Sequence, residues 1–166
     1  MCYGRRDVAV APDVIAAAAR AVRGLIPESV LQHAPLYTSP SSRCLHLARE
    51  LCLARQPTVV EELREMSFGS WEGRPWDDIP RHEIDAWAED VWGYRAGGDE
   101  SAAMVRERWR RFFASLTDTQ DAVAVTHSGV IRVALASAGV LREAELTRAP
   151  IDYGSVHRLD LSAPTP

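Results

Sequence analysis

Residues 121–139 change from one apolar pattern to another at a single polar corner. Residues 123–125 are apolar without alternation, which is typical of a strand buried on both faces of a parallel sheet, although a buried helical turn gives the same pattern. After the polar residues 126–129, apolar positions recur at helical spacing as far as Gly139, which is placed to end a helix. The pattern predicts a strand, a corner carrying His127, and a helix. A histidine of the structural core fits this position as well as a catalytic one.

Residues 36–52 repeat the same unit. Residues 36–37 are strand-like, Ser39 is expected to cap the following helix, and Pro40 suits its first position. The buried face of this helix is expected to comprise Cys44, Leu47, Ala48, Leu51 and Cys52. Arg43 falls in the first turn, where its charge opposes the helix dipole and favours an anionic partner. An ordinary surface arginine is the alternative.

A third candidate strand, Thr58 to Leu63, precedes Glu65. Phe68 and Trp71 follow closely and can exclude water from that carboxyl group, which favours a raised pKa and a general-acid role. The other carboxylates of this region are expected to be solvated: Glu61, Glu62 and Glu72.

Weaker patterns complete the predicted fold. Residues 1–12 show no strand and are expected to be loop. The remaining expected elements are a helix from Asp13 to Val22, capped by Asp13 and ended by Gly24, a short helix within Ile79–Tyr94, a helix from Glu100 to Leu116, and an edge strand from Ser155 to Leu161. This order predicts an α/β protein with a mostly parallel sheet, forming one domain over residues 1–161 with a disordered tail at 162–166.

The composition narrows the possible functions. The chain has 166 residues, 46% of them hydrophobic, and a net charge of -4, which predicts no basic surface for nucleic acid and no membrane-spanning run. All 19 basic residues are arginine, so a lysine Schiff base and a P-loop lysine are excluded. The 3 cysteines lack CxxC spacing and are expected to be reduced thiols rather than zinc ligands or disulfides. The residues after Met1 lack the charged region and the apolar region of a signal peptide, so a cytoplasmic location is expected.

Arg43, Glu65 and His127 each follow a predicted strand, and together they suit phosphoryl transfer. Four motifs then resemble the histidine phosphatase (phosphoglycerate mutase-like) superfamily in order and spacing: TSPSSR, LREMSFGSWEG, the glycine pair before Glu100 and Ser101, and VTHSGVIR. CYGRRD and WEGRPWDDIP are most similar to α-ribazole phosphatases of cobalamin biosynthesis. The resemblance covers about residues 2–161.

The resemblance implies a three-layer α/β/α domain that hydrolyses a small phosphomonoester through a phosphohistidine. Arg43 matches a phosphate-binding arginine of the family, Glu65 its general acid, and His127 the second histidine, which contacts the transferring phosphoryl group. It implies no metal or organic cofactor and a small phosphorylated substrate as the partner. The particular substrate and the oligomeric state stay open.

The family's first strand, which ends in Arg-His and carries the nucleophile, has no match in residues 1–166. One hypothesis is that Met1 is an internal methionine of a longer phosphatase, which we favour; the other is a pseudoenzyme that binds phosphoesters without cleaving them. Without that strand and its histidine, the polypeptide 1–166 is expected to have little or no phosphatase activity and a gap in its sheet. A serine hydrolase using His127 is a remote alternative, because GxSxG is absent.

Overall fold

The structure is a computed structural model that describes residues 1–52, 54–116 and 121–160. Short helices and very short strands alternate along these residues, as an α/β fold requires. The helices are α1 (Pro12–Leu25), α2 (Glu28–His33), α3 (Ser42–Leu51), α4 (Arg81–Glu89), α5 (Ala102–Ala114) and α6 (Ser128–Ser137). The strands are β1 (Leu36–Thr38), β2 (Thr58–Val59) and β3 (Val123–Val125).

The three strands pair side by side in the order β2-β1-β3, and both pairings are parallel. Tyr37 lies opposite Thr58 on one side and Ala124 on the other. The predicted α/β class with a parallel sheet is therefore confirmed. The expected gap is not present between these strands, since β1 bonds directly to β3.

Two apolar clusters cover the sheet. One combines the inner faces of α1 and α3 with Leu36, and the other combines α5 and α6 with residues 63–102, with Tyr37 packed against it. Because consecutive side chains of a strand point to opposite faces, Leu36 and Tyr37 place the clusters on opposite sides of the sheet. This gives the three layers that the resemblance implied. The buried face predicted for α3 is confirmed at all of its positions.

Several local predictions were wrong. Helix α1 begins at Pro12 with Ala11 as its N-cap, so Asp13 lies in its first turn, and the helix continues past Gly24. Helix α3 is preceded by Ser41 rather than Ser39 as its N-cap. The first residue of α1, Pro12, has no N–H group that needs a partner, and the first N–H group of α3, at Ser42, donates to the remote Asp7 carboxylate.

The strand predictions were wrong in three places. The strand predicted at Thr58–Leu63 pairs only at Thr58–Val59, because Glu61–Leu63 turns into a short 3-10 helix. Ala124 is exposed, so β3 is not buried on both faces. Residues 155–160 form no strand despite their alternation, and Leu161 with the predicted tail lies outside the described residues.

Within the described residues, every helix is too short or too polar to cross a lipid bilayer. The three cysteines are buried and free.

Candidate active site

His127 is held where β3 meets α6. It is the N-cap residue of α6 in extended conformation, and its side chain is buried. The strand predicted before it and the helix predicted after it are both confirmed. Its ring lies against Cys44, whose Sγ is 3.5 Å from Nε2 and 3.7 Å from Nδ1. Burial raises the pKa of Cys44 to about 12, so this thiol is an uncharged wall of the site.

Arg43 reaches His127 from the first turn of α3. Its Nε donates to His127 Nδ1 over 3.2 Å, while its terminal nitrogens donate to the carbonyl oxygens of Gly4 (2.9 Å) and Arg6 (3.2 Å). The carboxylate of Asp7 lies 3.8 Å from Arg43 Nη1 and accepts the N–H of Ser42. The segment 4–7 therefore packs across the start of α3 and surrounds the arginine.

The hydrogen bond from Arg43 sets the tautomer of His127. A guanidinium can only donate, so Nδ1 must be the accepting nitrogen and a neutral ring carries its hydrogen on Nε2. Nε2 then donates to the buried Ser39 Oγ, 2.8 Å away. Burial, together with the positive charges of Arg43, Arg108 and Arg64, lowers the pKa of His127 to about 3. The ring is consequently neutral at pH 7.

The side chain of Glu65 contacts the N-terminus of α6 at Gly129, two residues beyond His127 in the sequence. Its two carboxyl oxygens accept the backbone N–H groups of Met66 (2.9 Å) and Gly129 (3.1 Å). These bonds favour the charged form, but burial outweighs them and raises the pKa of Glu65. The sequence predicted a raised pKa here, and a carboxyl group that retains its proton more readily suits a general acid, which stays a prediction.

Glycine at position 129 permits this close approach. A Cβ there would collide with Glu65 Oε1, so only the bare backbone lets the carboxyl group approach the helix end. The structure thus brings Arg43 and His127 into direct contact and joins Glu65 to the same helix terminus.

A buried ion pair holds the chain that follows Glu65. Arg108 Nε and Nη2 donate to the carboxylate of Glu100 over 2.9 and 3.2 Å, and that carboxylate also accepts the N–H of Ser67 over 3.0 Å. Gly97, with φ +58, turns the chain before Glu100 and accepts the N–H of Ser70. Arg108 is thus a buried arginine on α5.

Glu72 has a similar role, and its expected solvation was wrong. Its carboxylate accepts the backbone N–H groups of Arg5 (2.9 Å), Arg6 (2.7 Å) and Phe68 (3.1 Å). It therefore ties the segment that surrounds Arg43 to the segment that follows Glu65. Arg5 and Arg6 lie in the motif CYGRRD and Glu72 lies in WEGRPWDDIP, so both ends of this contact fall in motifs that carry the resemblance.

No group of histidine, cysteine, aspartate and glutamate in the described ranges could hold a metal ion.

The whole of residues 1–166 matches the family model described as the histidine phosphatase superfamily (branch 1). The chain belongs to the histidine phosphatase superfamily.

Named members of the histidine phosphatase superfamily resemble the chain over most of its length. The adenosylcobalamin/alpha-ribazole phosphatase of Salmonella typhimurium is 27% identical over 144 residues, which are 80% of this chain and 71% of that protein. The crystal structure of the alpha-ribazole phosphatase from Shigella flexneri has a TM-score of 0.75 at 25% identity, covering 93% of this chain and 79% of the Shigella chain.

A phosphoglycerate mutase from Thermus thermophilus has a TM-score of 0.65 at 30% identity, with 83% of this chain and 74% of that chain covered. These similarities confirm the superfamily and the phosphoglycerate mutase-like fold.

Proposed function

We propose that the chain is the phosphomonoester-binding part of an α-ribazole-phosphatase-like enzyme acting in the cytoplasm. The observation that carries this proposal is the corner where the Arg43 guanidinium meets a neutral His127. The Arg43 guanidinium has five N–H groups, and those not donated to His127, Gly4 and Arg6 can donate to phosphate oxygens. The buried Glu65 carboxyl at the same helix terminus is suited to protonate a leaving oxygen. The named relatives support α-ribazole 5′-phosphate as the substrate of the whole protein.

Hydrolysis through a phosphohistidine requires a nucleophile that the described chain does not place at this corner. Among the described residues, His127 is the histidine that directly follows a strand, and its Nδ1 is engaged by Arg43. His82 follows an arginine, as the family nucleophile does, but it is exposed at the start of α4. We therefore expect the polypeptide 1–166 alone to bind phosphomonoesters and to turn them over slowly or not at all.

Phosphate binding is tested by titrating the polypeptide 1–166 with inorganic phosphate and ribose 5-phosphate in a calorimeter. Arg43→Ala is expected to weaken both by at least about tenfold, because a charge-assisted contact is lost. Arg49→Ala, an exposed arginine on the same helix, is the matched control and should leave both unchanged. Equal affinities of the wild type and Arg43→Ala would contradict the proposed site.

Turnover of α-ribazole 5′-phosphate is measured separately. Substantial hydrolysis by the polypeptide 1–166 that His127→Ala abolishes would contradict the expected inactivity. The intact mass and N-terminal sequence of the protein from its native cells distinguish the two hypotheses. A longer product with a strand ending in Arg-His indicates an active phosphatase, and a product beginning at Met1 indicates a phosphoester-binding pseudoenzyme.

The serine hydrolase alternative is disfavoured by the hydrogen bonds of Ser39. Its Oγ lies 2.8 Å from His127 Nε2, a distance that a serine nucleophile and its base would also show. Arg43, however, places the hydrogen on Nε2, so His127 donates to Ser39 and cannot accept its proton. A covalent serine probe should leave Ser39 unlabelled.

A further inference from the structure

The outer edge of β3 has no neighbouring strand, because β3 ends the sheet on that side among the described residues. The N–H of Val123 donates to Pro35, just before β1, over 2.9 Å. The C=O of Val125 accepts from Ser39, just after β1, over 2.9 Å. Ala124 lies between them, so its N–H and C=O point away from β1 and meet no partner in the described parts of the chain. Such an edge is a template for a further strand.

A cavity of about 1290 Å³ extends along this edge. Residues 121–135 line one side of it, and residues 151–160 line the other. Leu25 of α1 and Phe113 of α5 line its two faces, which belong to the two helical layers. We call the space between β3 and residues 151–160 the strand slot. The whole cavity exceeds the roughly 300–1,000 Å³ of ordinary small-molecule pockets, which favours a larger occupant.

Residues 151–160 cross from one helical layer to the other. Gly154, with φ +78, turns against α1, where a Cβ on it would lie 3.1 Å from the Cβ of Ala18. Leu159 packs against the cluster that α5 and α6 form. Residues 155–160 alternate like a strand, yet they pair with no strand of the described chain. The strand slot is therefore bordered by two segments of strand-like sequence, and a strand between them could pair with both.

The strand slot is lined by apolar side chains on both of its faces. Leu25 is 65% exposed on the α1 side, and Val156 is 37% exposed on the side of residues 151–160. Protein interiors contain few voids larger than a water molecule, and a contiguous exposed apolar surface marks a site of interaction. A segment placed in the slot would be covered by both helical layers, so it must be apolar at consecutive positions.

The helical layers also decide which occupant fits. Because Leu25 and Phe113 lie beyond β3, a folded sheet edge from a second copy of the chain would collide with these layers through its own helices. A lone extended segment has no such layers and fits between them. The other pairings of this sheet are parallel, so the segment is oriented parallel to β3. Asp121, exposed at the start of β3, favours a basic residue at its amino end.

We propose that the strand slot binds an extended apolar segment of another polypeptide as a fourth parallel strand. The segment is about six residues long, which is an ordinary length for a strand. Its backbone bonds to Ala124 on one side and to residues 155–160 on the other, and its side chains fill the apolar faces. This binding is independent of the proposed function, since none of its contacts involves phosphate.

The probe is the peptide acetyl-Lys-Val-Val-Leu-Val-Val-Gly-amide, titrated into the polypeptide 1–166 in a calorimeter. Saturable binding with a negative heat-capacity change is expected, because apolar surface is buried. Amide hydrogen exchange at Ala124 should slow by at least about fivefold in the complex. A second peptide with proline in place of the central leucine lacks one N–H donor and should bind at least about fivefold more weakly.

Ala124→Pro tests the same bond from the side of the protein. The N–H that it removes points away from β1, so the pairing of β1 with β3 is retained and peptide binding should weaken by at least about fivefold. Val59→Pro is the matched control at the opposite edge of the sheet. The N–H of Val60 bonds to Thr38, so that of Val59 points outward, and Val59 does not line the cavity. Urea unfolding establishes that both variants are folded.

Absence of saturable peptide binding would overturn the proposal. Equal affinities of the two peptides would also overturn it, since apolar contact without strand pairing would explain them, and this comparison does not depend on the folding of any variant. A folded Ala124→Pro variant that binds the first peptide as tightly as the wild type would contradict the assigned edge. Dimers of the polypeptide 1–166 in sedimentation, dissociated by Ala124→Pro and not by the peptide, would assign the edge to a second copy instead.

Discussion

The two strand-to-helix corners and the segment 60–101 build the site by different means. At the corners, Arg43 and His127 are positioned by regular elements, because parallel strands bring their carboxyl ends and the following helices to one edge of the sheet. The segment 60–101 carries Glu65 on irregular chain between short 3-10 turns, followed by helix α4. Charged side chains hold it in place: Glu72 binds backbone N–H groups, and Glu100 binds Arg108.

The difference shows where substitutions should be most damaging. A corner built on backbone hydrogen bonds and apolar packing tolerates the loss of one polar side chain better than a loop that depends on buried charges. The following substitutions test this comparison.

The largest effect is expected for Arg108→Met. Removing the guanidinium leaves the buried carboxylate of Glu100 without its partner, and such a loss costs about 3–5 kcal/mol of the free energy of unfolding. Urea denaturation measures this value. Arg111→Met removes an exposed pair with Glu107 from the same helix and should cost less than about 1 kcal/mol. Similar costs for the two variants would contradict a supporting role for the buried pair.

Gly129→Ala should be the next most disruptive. The new Cβ displaces the carboxyl group of Glu65 from the start of α6, at a cost of about 1–3 kcal/mol. Gly24→Ala is the control, since Gly24 lies within α1 with open space around it, and should stabilise by about 0.5–1 kcal/mol. Thermal unfolding of both variants checks the opposite signs. A neutral Gly129→Ala would mean that Glu65 does not need its close approach to this helix.

Glu72→Gln should weaken the connection between the segments around Arg43 and Glu65. An amide offers one oxygen acceptor in place of two charged ones, so at least one of the bonds to Arg5, Arg6 and Phe68 is lost, for about 1–2 kcal/mol. Amide hydrogen exchange at Arg5 and Arg6 should accelerate, whereas exchange within α3 should not. Unchanged exchange at these two amides would contradict the role of Glu72.

The buried, neutral His127 should make the free energy of unfolding depend on pH. The pKa of His127 is about 3 in the folded chain and near 6.5 when unfolded, so its contribution is complete above pH 6.5 and is lost as the pH falls toward 3. The slope from this residue is at most about 1.4 kcal/mol per pH unit. His127→Gln should show a shallower decline between pH 6.5 and 4 in urea unfolding. Parallel declines would indicate that His127 accepts a proton in the folded state.

Sequence reasoning located Arg43, Glu65 and His127 because each follows a short apolar run, and this pattern is local. It missed the groups that support them. Glu72 binds amides 66 and 67 residues before it, and Glu100 binds the amide of Ser67, 33 residues away. Nothing in the neighbouring sequence distinguishes such a carboxylate from a solvated one. The strand predicted from Ser155 is absent over residues 155–160 for the same reason, since alternation does not specify a pairing partner.

The contacts of Arg43 make ligand binding a competition within the chain itself. Two of its terminal N–H groups donate to the carbonyl oxygens of Gly4 and Arg6, and the Asp7 carboxylate lies close by. A phosphate can replace these oxygens only in the fraction of molecules whose segment 4–7 has moved away, and the apparent affinity falls in proportion to that fraction. Substitutions that loosen this segment should therefore tighten phosphate binding even though they remove no contact with phosphate.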